Sequence, residues 1–255
     1  MFLDRIRHWW RRWRAPQLPE ALSASMRTLS RRFEAGGVPH ALIGGMAMSL
    51  HGPPRATRDL DFLIAAGAAD AAHSIMTQIG FETLQRSKLF AHYLLPSLRV
   101  DFLYTQGART ARMIERAVAI EVDGFTMKIV GPEDLIGLKL QALANAPERG
   151  RDVIDVRTLV DHFHERMDMA LVRDYFVLFN MSSTIFSRLS PDEVAELRAN
   201  AANPEFREMN KFTAPCGATP AENFRMTLAL IRELEPFYRN LPQDRSVPVV
   251  KSFIL

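Results

Sequence analysis

Two acids separated by one apolar residue, placed just after a strongly turn-forming stretch, constrain this 255-residue chain more than any other feature. Residues 43–64 read IGGMAMSLHGPPRATRDLDFLI, and Asp59 and Asp61 run directly into Phe62, Leu63 and Ile64 in the pattern of a strand end. Strand side chains alternate faces, so both carboxylates project the same way, roughly 7 Å apart along the chain, and Leu60 faces the opposite side. Like charges held that close repel and gain little unless a cation sits between them, and hard oxygen ligands suit Mg²⁺ or Mn²⁺. A D-x-D pair taken alone also fits solvated surface, where most acids lie. Its surroundings favour half of a metal site.

Upstream, PHALI is a short apolar run with strand character, ended by Gly44 and Gly45 where a helix of small and apolar residues, 46–50, is predicted to begin. Paired glycines at a strand-to-helix turn let the backbone approach a phosphate, whose charge the amides at the helix start favour; a plain tight turn is the alternative. A stiff loop from His51 to Pro54 then returns the chain to the acidic strand. That order, ending in RATRDLDF, resembles the nucleotidyltransferase superfamily of polymerase-β-like fold, whose members share a G-[GS] turn followed by a D-x-D strand. The resemblance implies an α+β (α/β-like) fold, with a mixed sheet flanked by helices, and a third metal-binding acid on a neighbouring strand. SLRVDFLYT supplies Asp101, flanked by Val100 and Phe102. An acid in such a run is costly to bury unless it is paired or holds a metal, the alternative being a solvent-facing strand side.

The stretch VGPEDLIGLKLQALANAPERGRDVIDVRTLVDHF resembles the segment that follows the core in minimal and abortive-infection toxin-type nucleotidyltransferases. Pro132 with Glu133 and Asp134 opens a helix, and Leu135, Leu138, Leu140 and Leu143 keep an apolar stripe around Lys139. The corresponding lysine of the family contacts nucleotide phosphates; on the residues alone it is equally a snorkelling surface lysine. Asp152 and Asp155 lie i and i+3 on the next predicted helix and share a face. They either orient Lys139 and active-site arginines or pair with Arg149, Arg151 and Arg157 on the surface.

Apolar residues at 47% and charged at 24% are ordinary for a globular chain long enough for one good core and a smaller helical unit. The single cysteine, Cys216, excludes an internal disulfide and a cysteine-only zinc site and suits the cytoplasm. No apolar run approaches the roughly 20 residues needed to cross a bilayer. The net charge of +3 is unevenly spread, since residues 1–58 hold ten arginines against three acids. The first 14 residues, MFLDRIRHWWRRWR, combine five of those arginines with Trp9, Trp10 and Trp13. As a helix they would lie on an anionic membrane surface, stack and pair with RNA, or dock on the protein's own core.

Helices are predicted around residues 20–35 and 68–80, strands over 81–86 and 89–95, and a hairpin at Asp123-Gly124 between VAIEV and FTMKI. Beyond Arg166 helix starts dominate: Ser190 with Pro191, Asn203 with Pro204, and Thr219 with Pro220 and Glu222. The expected organisation is a basic start and helix over 1–36, a nucleotidyltransferase core over 37–165, and a helical unit over 166–255.

By resemblance, Asp59, Asp61 and Asp101 hold two Mg²⁺ ions about 4 Å apart for in-line attack on the α-phosphorus of a nucleoside triphosphate, ATP among them, with loss of pyrophosphate. Asp101 contacts the metal that activates the nucleophile and can take its proton. Gly44 and Gly45 cradle the β and γ phosphates, while Lys139, Arg55 or Arg58, with Asp152 beside them, manage leaving-group charge. Toxin relatives modify the 3′ end of tRNA and others modify antibiotics or proteins; the basic start leans toward RNA, with a cognate antitoxin protein as a further partner. Two other readings stand: a catalytically inactive nucleotide- or RNA-binding protein of the same fold, and a nuclease using the R-x4-H spacing of Arg157 and His162. Gly45 stands where polymerase-like members have serine, which puts phosphate grip rather than metal binding in question.

Overall fold

Alternation along two strands sets the architecture. Leu60, Phe62 and Ile64 on one, and Val100, Phe102 and Tyr104 on the other, point into the core, while Asp59, Asp61 and Asp101 share the opposite, half-buried face. The computed structural model describes residues 17–52, 54–147, 149–181 and 219–238. In chain order these form α1 (Leu18–Ala35), β1 (His40–Ile43), α2 (Gly44–His51), β2 (Asp59–Ile64), a 3-10 turn (Ala66–Ala68), α3 (Ala69–Gln78), β3 (Glu82–Arg86), β4 (Phe90–Leu94) and β5 (Arg99–Tyr104). There follow α4 (Ala108–Glu115), β6 (Val118–Val122), β7 (Phe125–Ile129), α5 (Pro132–Asn145), α6 (Gly150–Phe163), α7 (Met169–Leu178) and α8 (Pro220–Tyr238).

The strands make one seven-stranded mixed sheet in the order β3-β4-β5-β2-β1-β7-β6. Only β2 with β5 and β1 with β7 run parallel; the other neighbours are antiparallel. This is the mixed α+β sheet that the sequence predicts. Helix α1 covers the apolar face: Met26, Leu29 and Phe33 are fully buried, and the Phe33 ring meets Phe62 and Phe102 edge-on at 5.7 and 5.8 Å. Side chains of that size contribute about 1.5–3 kcal/mol each when fully buried, so α1 belongs to the core energetically. His40 packs beside Phe33 at 4.9 Å, and burial holds its pKa below the ordinary histidine value, keeping it neutral within this apolar layer.

Helix α2 packs against β1 and β2, α5 packs against α2, α6 and α7 pack on α5, and α8 returns to α1, α2 and β6. A buried acid ties this helical layer together. Asp134, 2% exposed, accepts from the Tyr175 hydroxyl at 2.5 Å and from Arg116 Nη2 at 2.6 Å, joining α7 and the end of α4 to the start of α5. Gly137 makes room for it, since a Cβ there would stand 2.8 Å from the Tyr175 ring.

Local signals hold where they are chemical. Asp123 and Gly124 adopt positive φ of 42° and 78° and close the hairpin with Val122 opposite Phe125. At the start of α8, Glu222 N–H donates to Thr219 Oγ1 at 3.2 Å and Thr219 N–H to Glu222 Oε2 at 3.0 Å, the reciprocal box expected there. Boundaries move by a residue or two: α2 begins at Gly44 rather than Met46, and α1 at Leu18 rather than Glu20. Helix α7 is capped by Asp168, which accepts from the Ala170 and Leu171 amides and was not anticipated. The helix starts at Ser190 and Asn203, Cys216 and the Arg/Trp-rich start lie outside the described residues. Among the described residues no helix is long and apolar enough to cross a membrane.

Candidate active site

Strand pairing puts the three acids on one face of the sheet. On the parallel β2–β5 ladder Asp61 stands opposite Asp101 and Asp59 opposite Arg99, so all four side chains project from one face. Neighbouring strands are about 4.8 Å apart, which puts Asp61 and Asp101 on adjacent backbones at one level. Burial, and then the charges of Asp59 and Asp101, push the Asp61 carboxyl well above the usual carboxylate range. The oxygen-only donor set on this face fits Mg²⁺ or Mn²⁺.

The other two carboxylates already have partners. Thr57 Oγ1 donates to Asp59 Oδ1 at 2.7 Å. Arg99 Nε donates to both oxygens of Asp101, at 2.8 and 3.0 Å, and His92 Nδ1 lies 2.8 Å from Asp101 Oδ1. A ring proton on Nδ1 would be donated to that oxygen, and Nε2 of His92 is buried with no hydrogen-bond partner among the described residues. Among the described residues no three acidic, histidine or cysteine side chains stand close enough together to share an ion. Arg99, His92 and Thr57 are absent from the sequence-level site. Arg99 was within reach, because it lies two residues from Asp101 on one strand and so shares its face.

The glycine turn abuts the acids directly. Gly44 has φ +69°, and a Cβ there would fall 2.7 Å from Asp61 Cγ and nearer still to its Oδ2. A Cβ on Gly45 would lie 2.8 Å from Thr57 Oγ1. The Arg55 amide donates to Ser49 Oγ at 3.2 Å, and that hydroxyl stands 3.2 Å from the Gly45 carbonyl and 3.1 Å from that of Arg55, locking turn, helix and returning loop. Close backbone approach was expected for a phosphate; the structure adds a nearer reason, room for the Asp61 carboxylate.

A buried ionic network forms the adjoining wall. Lys139 Nζ lies 2.7 Å from Asp152 Oδ1 and 2.6 Å from Asp155 Oδ2, while Arg149 pairs with Asp152 and Arg55 with Asp155. The two acids are 3% and 5% exposed at the side chain, so they are buried against Lys139, while Asp152 also takes the Arg149 partner that the second reading expects. Burial lowers the Lys139 pKa, but Asp155 and Asp152 outweigh it and the ammonium ends above its ordinary value. Burial pushes Asp155 up, yet Arg55 and Lys139 bring it down to about 2. Arg151 is lowered by burial and by Arg55, and its charge is felt at Asp59 as that of Lys139 is at Asp61. Arg58 is half-buried where the chain enters β2. Arg157 faces Asp161 at 3.5 Å on the exposed side of α6.

A mixed sheet with a G-G turn set against a D-x-D strand, and a further acid in register on the next parallel strand, defines the nucleotidyltransferase class. The chain belongs to the family described as nucleotidyl transferase of unknown function (DUF2204), whose model matches residues 22–191. Among solved structures it is similar to ANT(2'')-Ia in complex with adenylyl-2''-tobramycin, at 13% identity over 61% of this chain and 97% of that one, with a TM-score of 0.49. It is also similar to MenT4, a nucleotidyltransferase toxin from Mycobacterium tuberculosis, at 15% identity over 89% and 86% of the two chains, with a TM-score of 0.41. No curated protein matches the chain.

Proposed function

We propose that this nucleotidyltransferase moves a nucleoside monophosphate from a nucleoside triphosphate, ATP among them, to a hydroxyl of an RNA acceptor, with divalent metal held by Asp59, Asp61 and Asp101. The observation that carries this reading is the in-register placement of Asp61 and Asp101 beside the Gly44 turn. Bound there, Mg²⁺ or Mn²⁺ supplies neutralisation of phosphate charge and a more acidic acceptor hydroxyl. Asp101 takes the hydroxyl proton as the new bond forms at the α-phosphorus and pyrophosphate departs. The Gly44–Gly45 backbone lies against the β and γ phosphates. Lys139 donates to Asp152 Oδ1 and stands in ion-pair contact with Asp155, which fixes the ammonium at this wall with donor capacity to spare for phosphate oxygen. Arg55, fixed by Asp155, adds charge at the same wall, with Arg58 at its edge.

RNA as acceptor is supported by the Arg/Trp-rich first 14 residues, which combine phosphate-pairing and base-stacking side chains. The resemblance to toxin-type nucleotidyltransferases adds a cognate antitoxin protein to the proposal, which places the chain in the cytoplasm. Incubation with labelled nucleoside triphosphates and separate RNA, protein and small-molecule fractions should label RNA, with pyrophosphate release that EDTA abolishes. Label in another fraction reassigns the acceptor. No label and no pyrophosphate in any fraction identifies a nucleotide binder without turnover.

Lys139→Ala tests the phosphate wall separately. Triphosphate affinity should fall about tenfold, the scale of one charge-assisted hydrogen bond. The variant should also lose about 2–4 kcal/mol of stability, because two buried acids lose a shared partner. Nucleotide titration at a temperature where the variant remains folded reads the first effect alone, and unchanged affinity removes Lys139 from the site.

A further inference from the structure

We infer that Arg99 is an internal competitor for the metal position: its guanidinium holds Asp101, and a divalent cation must displace it to complete the acidic site. The inference rests on the metal assignment proposed above. Three observations support it. Strand parity and the β2–β5 register put Arg99 on the acid face, opposite Asp59 and two residues from Asp101. Its Nε reaches both Asp101 oxygens, at 2.8 and 3.0 Å, so the pair engages the whole carboxylate rather than one corner. The side chains of Arg99 and Asp101 are only 11% and 19% exposed, so the pair is poorly screened by water and strong.

His92 completes the arrangement from β4, where it stands opposite Asp101. With a proton on Nδ1 it fixes Oδ1 from the side away from β2, so the carboxylate is then steadied there whether or not Arg99 is in place. Arg99 Nη2 lies 3.2 Å from that same nitrogen, which can accept from the guanidinium or donate to Asp101 but not both, so Arg99 and Asp101 compete for one ring nitrogen. Charge balance gives this arrangement a consequence. With Arg99 attached, the cation demand at the acid face comes from Asp61 and Asp59; with Arg99 withdrawn, Asp101 joins them and a complete hard-oxygen set is exposed. Arg99 therefore holds the intrinsic metal affinity below what three acids alone would give. A positioning residue of this kind tunes metal occupancy without itself contacting the reacting atoms.

The test is a Mn²⁺ titration of the full chain without nucleotide, followed by the electron paramagnetic resonance signal of free Mn²⁺, on wild type, Arg99→Met, Arg99→Lys and Asp61→Asn, each checked by circular dichroism. Arg99→Met should bind Mn²⁺ on the order of tenfold more tightly, the scale of one lost charge-assisted pair. Arg99→Lys, which keeps a charge but cannot reproduce the Nε contact, should fall between it and wild type. Equal or weaker binding by folded Arg99→Met overturns the inference. If that variant does not fold, Arg99→Lys decides, and the absence of tightening in it overturns the inference. Asp61→Asn should weaken Mn²⁺ binding in any case. If it does not, the metal assignment itself fails; if it does while the Arg99 variants do not tighten, the Arg99 inference alone fails.

Discussion

An Asp61→Asn variant is expected to lose nucleotide transfer by a factor of about 10³ or more while melting at or above the wild-type temperature. The two halves of this result have one cause. The carboxyl is buried, and Asp59 and Asp101 add to the penalty, so its pKa in the folded protein is raised. In the unfolded chain it returns to about 3.9. Between those two values the folded state holds a proton that the unfolded state has lost, so stability rises as pH falls through the folded pKa, and the penalty is gone below the unfolded one. At neutral pH the carboxyl therefore costs stability, which asparagine, neutral and of the same shape, does not. The advantage of the variant in melting temperature should shrink between pH 7.5 and pH 5. Assay of labelled nucleotide transfer gives the other half, and transfer close to wild type would remove Asp61 from the chemistry.

That conflict between stability and function explains which parts of the site could be read in the chain and which could not. Asp59, Asp61 and Asp101 are legible because an ionised side chain inside an apolar, alternating run violates the rule that governs its neighbours. The Asp123-Gly124 hairpin and the Thr219–Glu222 box are legible because each depends on a few adjacent residues. Arg99 could be read from strand parity with Asp101, but His92 acquires its meaning only from strand order: β5 must lie between β2 and β4 before Asp101 can meet Asp61 on one side and His92 on the other. No local pattern specifies that order. Lys139, Asp152 and Asp155 are intermediate, since helical spacing puts each acid on a face but only the packing of α6 on α5 shows that the face is buried. Gly44 was read for its backbone, and what it accommodates emerged only with the fold.

Gly44→Ala should damage both stability and nucleotide transfer. Alanine at φ +69° sits in the left-handed region, at a cost of about 1–2 kcal/mol. The larger effect is steric. The new carbon would lie 2.7 Å from Asp61 Cγ and 2.9 Å from its Cβ, separations that real Cβ atoms do not tolerate. The backbone has little freedom to yield, because Ile43 is paired with Asp61 on the β1–β2 ladder and Gly44 opens α2. The carboxylate must therefore swing away from Asp101. A loss of about 2–4 kcal/mol in stability is expected, with transfer falling as far as in Asp61→Asn. Gly45→Ala is the internal control: its φ is not left-handed and its nearest obstacles are the Thr57 hydroxyl at 2.8 Å and Cβ at 3.2 Å, so a shift of Thr57 absorbs most of the change at about 1 kcal/mol. A double-mutant cycle isolates the cause. In an Asp61→Ala background only the Cβ contact remains, so Gly44→Ala should cost at least about 1 kcal/mol less than in wild type, measured by urea unfolding. Strict additivity of the two changes would mean that the glycine serves the turn alone and not the carboxylate pressed against it.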